Sequence, residues 1–381
     1  MNISICIITK NECEKLRRCI AQASKLGFEM VVVDTGSTDG TLSMLPEYTD
    51  SVYHFEWIND FAAAKNYAAK CAKNDMVMIL DSDEYLRLPE DEKELILFKQ
   101  EVLSQIEAHA NQVGRMVRIN DVYQGDEITK YTDYTNRIFD RRLFCFMGAI
   151  HEQLVRGNVF DEPCEGDLAE KDVTFGKAAS GTNSCYVTYI SKLTADHDGY
   201  VGTKEERSKK ALRNIELLKK ELEKRPEDTY ILYQLGKGYF LLEDFEMAAE
   251  YFGIALSYEV EPSLEYVQDM VETYGYALIE TNRAGEAVLL ESVMDEFGHS
   301  SDFMFMLGLA YMNNAEFDKA VAAFEKATCV QPAKMEGVDS YLAYYNCGVI
   351  YEVLGDKEMA RIYYKKCGSY EKALIRLKEC V

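Results

Sequence analysis

A chain of 381 residues is too long for one ordinary core, and 48% apolar composition with six prolines describes folded domains, not a disordered chain. Sixty-five acids against 42 bases leave a formal charge of −23, which excludes nucleic acid and anionic membrane as partners, since both are bound through Lys and Arg. Eleven cysteines without Cys-x-x-Cys spacing suit a reducing cytoplasm, and the sequence shows neither a signal peptide nor the ~18 apolar residues of a spanning helix.

Ile3 to Ile8 reads as a strand, Leu16 to Ser24 as a helix, and Met30 to Val33 as a second, fully buried strand. A Gly- and Thr-rich turn leads to a helical turn at Thr41–Leu45 and a short strand at Ser51–Phe55. A helix at Ala62–Ala72 and a strand at Met76–Leu80 follow. Strands alternating with helices predict βαβ units in a mostly parallel sheet, whose ligands lie outside the carboxyl ends of the strands. Thr9, Asp34 and Asp81 each follow a predicted strand directly, so all three belong on that rim. Asp81-Ser82-Asp83-Glu84 presents two carboxylates one residue apart. In an extended turn both can point one way and hold a divalent cation against a diphosphate. The bland alternatives are a solvated turn for Asp81 and Asp83, and a helix N-cap for Asp34.

Asp161 to Ser184 reads as a long loop, and Val187 to Ile190 returns to strand. Thr203 to Lys224 is amphipathic and ends before Pro226, as expected of a helix joining two domains and capping the second. Beyond it the chain repeats itself. Gly236, Gly275, Gly308 and Gly348 lie 39, 33 and 40 residues apart, each followed twelve positions later by Ala248, Ala287, Ala320 or Ala360. Sixteen positions after the glycines stand Phe252, Glu291, Phe324 and Tyr364, so only the second unit breaks an aromatic rule. A period near 34 with these small and aromatic positions is the tetratricopeptide pattern, here in about four units with the second degenerate.

Four ordered segments then carry a resemblance: Thr9-Lys10-Asn11-Glu12, Val32 to Thr41, Trp57 to Asn66, and Leu80 to Glu84. Together they resemble the nucleotide-sugar half of family 2 glycosyltransferases of the GT-A fold, over roughly residues 1–200. Repeats behind such a domain resemble a bacterial subgroup that includes the S-glycosyltransferase of glycocin-type bacteriocins, other relatives acting on envelope polysaccharide. The resemblance implies an α/β GT-A domain at 1–200, a linker or capping helix at 201–226, and an all-α tetratricopeptide domain at 227–381. It implies that Thr9, Asn11, Glu12 and Asp34 line a uridine pocket. Lys65 meets the nucleotide where Arg is usual, and Asp81 and Asp83 form the DxD element, Asp83 being the direct ligand of Mn²⁺ or Mg²⁺. Asp60 and Asn66 are expected to be structural. Phe146 to Glu152 resembles the segment that supplies the acceptor-side acid, making Glu152 the general base unless it merely pairs with Arg137 or Arg156. Ala195 to Tyr200 resembles a late element whose His197 reaches the metal or the diphosphate; His151 stays unassigned between metal and diphosphate.

The expected function is metal-dependent, inverting transfer from a UDP-sugar to a peptide or protein held by the repeats, in the cytoplasm. An envelope saccharide acceptor stays open, as does a non-catalytic scaffold that only binds the nucleotide sugar. Dimerisation is the other use the repeats could have.

Overall fold

The structure, a computed structural model, describes residues 2–124, 127–160, 186–199 and 202–379. The described residues form two compact units, dividing between Thr203 and Lys204. The long loop read at 161–184 lies outside the described residues.

The first unit is built on an eight-stranded sheet whose strands lie, from edge to edge, in the order Val52–His54 (β3), Glu29–Asp34 (β2), Ile3–Thr9 (β1), Met76–Asp81 (β4), Glu127–Asp140 (β7), Val113–Gln124 (β6), Thr188–His197 (β10) and Glu84–Leu86 (β5). Its left half is β3 (Val52–His54), β2 (Glu29–Asp34), β1 (Ile3–Thr9) and β4 (Met76–Asp81), all parallel. Helices α1 (Cys13–Ala23), α2 (Thr41–Met44) and α3 (Phe61–Cys71) supply the crossovers. Period-two alternation buries both faces of these strands. Ile3, Ile5, Ile7, Val32 and Leu80 pack toward α1 and a further helix, α4 (Glu92–Ala108). Cys6, Val31, Val33, Val77 and Ile79 pack toward Ala62, Ala68 and Ala69 of α3. Each such fully buried Val or Ile contributes about 1.5–3 kcal/mol, which is why these strands read as unbroken apolar runs.

The right half was not legible in the same way. β5 (Glu84–Leu86) runs antiparallel to β10 (Thr188–His197), and β6 (Val113–Gln124) and β7 (Glu127–Asp140) form a long hairpin against β4. The hairpin is rich in charge, and the structure shows why it still pairs. Arg118 sits opposite Asp133 and Asp121 opposite Lys130, with ion pairs of 2.7 and 2.9 Å. Opposite charges directly across a ladder stabilise it. A small hairpin of β8 (Phe144–Met147) and β9 (Gln153–Arg156) completes the unit.

The second unit begins with α5 (Lys204–Lys224) and continues as stacked helix pairs. These are α6 (Thr229–Leu241) with α7 (Phe245–Ser257), and α8 (Glu265–Glu280) with a broken second helix, α9 (Ala284–Val288) and α10 (Met294–Phe297). Then come α11 (Ser301–Asn313) with α12 (Phe317–Ala327), α13 (Tyr341–Val353) with α14 (Lys357–Lys366), and a last helix α15 (Glu371–Glu379). The glycines leave room for rings. A Cβ on Gly308 would meet Phe324 at 2.7 Å, one on Gly348 would meet Tyr364 at 2.5 Å, and one on Gly236 would strike Phe252. In the second repeat, where Glu291 replaces the ring, Gly275 is filled instead by Met306 of the next repeat. Glu291 turns outward and accepts from Tyr311 Oη at 2.6 Å. Ala248, Ala287, Ala320 and Ala360 are all fully buried where helices cross.

Among the described residues no helix is long and apolar enough to cross a membrane.

Candidate active site

Strand register builds the rim. Thr9 is level with Asp34 across β1 and β2, and Ile8 is level with Asp81 across β1 and β4. The chain ends of three adjacent parallel strands therefore open at one edge. The Asp34 carboxylate is buried there and accepts from the N–H groups of Gly36 and Ser37 at 2.9 and 3.1 Å, so it shapes the turn that follows it. His54 Nδ1 lies 3.7 Å from it, an approach the sequence did not suggest. Asn11, at a left-handed φ of 55°, accepts from Thr38 N–H at 2.7 Å and joins the first loop to the second. Glu12 joins the first loop to the third by accepting the Ser82 hydroxyl, between the two acids. Thr9 Oγ1 is buried on this edge without a hydrogen-bond partner.

Behind the rim runs a line of buried charge. Lys65 on α3 is 4% exposed and donates to Asp81 Oδ1 at 2.9 Å and to Glu152 Oε1 at 2.6 Å. Arg137 on β7 donates to Asp81 Oδ2 and to Glu84 Oε1, each at 2.5 Å. Glu84 is wholly buried, lies 3.5 Å from Arg118, and accepts the Asp81 N–H at 3.1 Å. Burial opposes the Lys65 charge, but Asp81 and then Glu152 outweigh it and hold the ammonium above the usual lysine range. Burial likewise opposes the Asp81 charge, yet Arg137 and Lys65 hold its carboxyl well below the usual carboxylate range. Burial pushes Glu84 up despite Arg137.

Glu152 reaches this line because α3 grips its hairpin. Asp60 caps α3 by accepting from Ala63 N–H at 2.8 Å. Asn66 brackets the Phe146 backbone, donating to its carbonyl at 2.9 Å and accepting its N–H at 2.8 Å. The turn that follows needs left-handed backbone at Gly148 and His151, and it delivers Glu152 to Lys65, not to Arg137 or Arg156.

The two motif carboxylates part company. Residues 82 and 83 form a turn, not an extended segment, and Asp83 leaves Asp81 for a different neighbourhood. Its Oδ1 lies 3.6 Å from His197 Nε2, its Oδ2 4.0 Å from Lys15 Nζ. The far ring nitrogen, His197 Nδ1, is 2.7 Å from Asn120 Oδ1.

A divalent cation fits one part of this arrangement and not the other. Among the described residues no three His, Cys, Asp or Glu form a ready cage. Asp83 and His197 nevertheless suit a cation that takes its other ligands from phosphates. Gly199 keeps their neighbourhood clear: a Cβ there would strike the His197 ring and come within 2.8 Å of Asp83 Oδ2. Asp81 is different in kind, since each of its oxygens already faces a cationic side chain. Arg137, Glu84, Arg118 and Asn120 were not read as site residues from the sequence, apart from Arg137 as a partner for Glu152. Arg137, Arg118 and Asn120 come from strands whose pairing is non-local, and no local pattern marks them, whereas Glu84 closes the segment that carries Asp81 and Asp83.

Residues 4–144 match the profile of "Glycosyl transferase family 2", and residues 301–334 and 341–374 that of "Tetratricopeptide repeat". The chain thus carries a family 2 glycosyl transferase domain ahead of tetratricopeptide repeats. The SPbeta prophage-derived glycosyltransferase SunS of Bacillus subtilis is 23% identical over 64% of this chain and 51% of its own length. An uncharacterized glycosyltransferase of Rickettsia bellii is 28% identical over 52% of this chain and 65% of its own. A TPR repeat-containing protein of Synechococcus elongatus is 40% identical over 23% of this chain and 21% of its own. The chain therefore spans at most about two thirds of the length of these relatives. Among solved structures, the TPR protein YrrB superposes with a TM-score of 0.39 at 20% identity, over 45% of this chain and 84% of its own.

Proposed function

We propose that this chain is an inverting glycosyltransferase that moves a sugar from a UDP-sugar to a polypeptide acceptor. One observation carries the reading: Glu152, Lys65, Asp81 and Arg137 form a continuous line of ion pairs, its two cations buried, at the edge where Thr9, Asn11, Glu12 and Asp34 also gather. An acid for the acceptor and cations for the departing diphosphate are thereby held side by side.

Glu152 is the general base. Lys65 holds Oε1, so Oε2 is the oxygen that takes the acceptor proton. The deprotonated acceptor atom attacks the anomeric carbon as its bond to the diphosphate oxygen breaks, and the electron pair leaves with UDP. The transition state is oxocarbenium-like, as in glycoside hydrolysis. Lys65 and Arg137 face the growing negative charge from a water-poor wall, where fixed charges act strongly. Asp81 holds both cations in place. Asp83 and His197 would hold Mn²⁺ or Mg²⁺, which when bound neutralises diphosphate charge. Asn11, Asp34 and Glu12 shape the loops that receive the uridine, and Thr9 Oγ1 is a buried hydroxyl available to it.

Helical-repeat arrays present extended concave surfaces to polypeptides, which supports a polypeptide acceptor, and the formal charge of −23 favours one with basic residues. Buried acids on α8 tie the array together beneath that surface. Asp269, Glu272 and Tyr276 share one face of α8 by spacing. Asp269 meets Tyr233 and Lys237 of α6 at 2.7 and 2.9 Å, and Glu272 meets Ser300 beside α11 at 2.8 Å.

The test is UDP release from a panel of UDP-sugars, with and without Mn²⁺, followed by mass spectrometry of the acceptor. Release that depends on Mn²⁺ and on Glu152 is expected. A chain that binds UDP but never releases it from any UDP-sugar is a scaffold, and the proposal fails.

A further inference from the structure

Asn120 lies wholly buried on β6, in register with His197 of β10 on one side and with Tyr131 of β7 on the other. Its amide orientation is decided by those neighbours. The Tyr131 carbonyl can only accept, so the atom facing it at 2.9 Å is the NH₂ group. Oδ1 therefore faces His197 Nδ1 at 2.7 Å, and Nδ1 must carry the proton. In a neutral ring the other nitrogen, Nε2, then presents its lone pair toward Asp83 Oδ1 at 3.6 Å. Gly199 leaves the flank of this pair without a side chain, where a Cβ would strike the ring.

We infer that Asn120 is a positioning residue which fixes the His197 tautomer, so that His197 Nε2 and Asp83 together form the protein's half of a divalent-cation site. Asn120 touches neither cation nor substrate; it acts through the imidazole, as outer partners of metal-bound histidines do. The inference rests on the metal-dependent reading above and extends it to a residue buried within the sheet.

The experiment measures Mn²⁺ affinity in the presence of UDP, by electron paramagnetic resonance of free Mn²⁺, on the full chain. Asn120→Leu, which cannot accept from Nδ1, should weaken Mn²⁺ by about 10–100-fold. Asn120→Asp, which still accepts, should stay much closer to wild type. In a His197→Ala background, Asn120→Leu should cost nothing more, because its effect runs through the ring. Should Asn120→Leu fail to fold, ¹⁵N spectra of histidine-labelled wild type decide the matter alone. The His197 signal, assigned by its loss in His197→Ala, should show protonated Nδ1 and bare Nε2, with Nε2 broadened away by Mn²⁺. A proton on Nε2 in the cation-free protein, or an Asn120→Leu protein that binds Mn²⁺ like wild type, overturns the inference alone. A wild type that binds no Mn²⁺ with UDP overturns the metal reading, and this proposal with it.

Discussion

Replacing Lys65 by Met keeps the length of the side chain and removes the charge that joins Asp81 to Glu152. Two contacts vanish, of 2.9 and 2.6 Å, inside a wall where Lys65 is 5% and Glu152 14% exposed at the side chain. Breaking a fully buried pair in this way costs about 3–5 kcal/mol. Asp81 keeps Arg137 and has 30% side-chain exposure, so the low end applies, about 3 kcal/mol. For a unit of this size each kcal/mol moves Tm by about 2–4 °C, so the first-unit transition should fall by about 6–12 °C. The sign with pH follows from Asp81, whose folded carboxyl titrates well below its unfolded value. Its stabilisation is complete above the unfolded pKa, near 4, and is lost as pH falls through the folded one. The gap between wild type and variant should therefore be level from pH 8 to about 5 and narrow below 4. Calorimetry of the full chain across that range is the assay, with Lys65→Arg as the charge-retaining control. A Tm change below about 2 °C at pH 7, or a gap that widens in acid, would show that the line of charge is not stabilised as described.

Glu152→Gln cannot take a proton, so kcat should fall by about 10²–10⁴-fold with UDP affinity unchanged; normal turnover would move the base elsewhere. Asp83→Ala should abolish Mn²⁺ stimulation of UDP release, whereas Asp81→Asn should lower stability as well as turnover, since it releases Lys65 and Arg137. A melting curve for Asp81→Asn identical to wild type would contradict that division. Glu272 is buried among Asp269, Asp302, Tyr276 and Lys334, and burial raises its carboxyl to about 7. A raised folded pKa means stability present below the unfolded value, about 4.5, and lost as pH rises through 7. Glu272→Gln should therefore melt the second unit higher than wild type at pH 8 and alike at pH 4, read by circular dichroism; equal curves at both would count against the shift.

How much of this was legible beforehand depended on whether the physics was local. The strands Ile3–Thr9, Glu29–Asp34 and Met76–Asp81 are buried on both faces, so each is an apolar run ending where its acid or threonine begins. That local grammar, and the sheet rule that goes with it, place Thr9, Asp34 and Asp81 at one edge. The repeats were legible for a similar reason. A glycine that must admit a ring sixteen positions later leaves a periodic mark, and Glu291 stood out because it breaks it. The tertiary structure alone decided what the acids do. Asp81 and Asp83 were read as two arms of one motif, with Asp83 the direct metal ligand, but a turn at 82–83 sends one to Lys65 and Arg137 and the other to His197. The partners that separate them lie 56 and 114 residues away, on β7 and β10. The β6–β7 hairpin hid for the same cause: its charges are balanced across the ladder, by Asp133 for Arg118 and Lys130 for Asp121, not along the strand. Propensity and periodicity act over a few residues, whereas the desolvation of a charge is offset only by whatever folding brings against it, and that is set by the whole sheet.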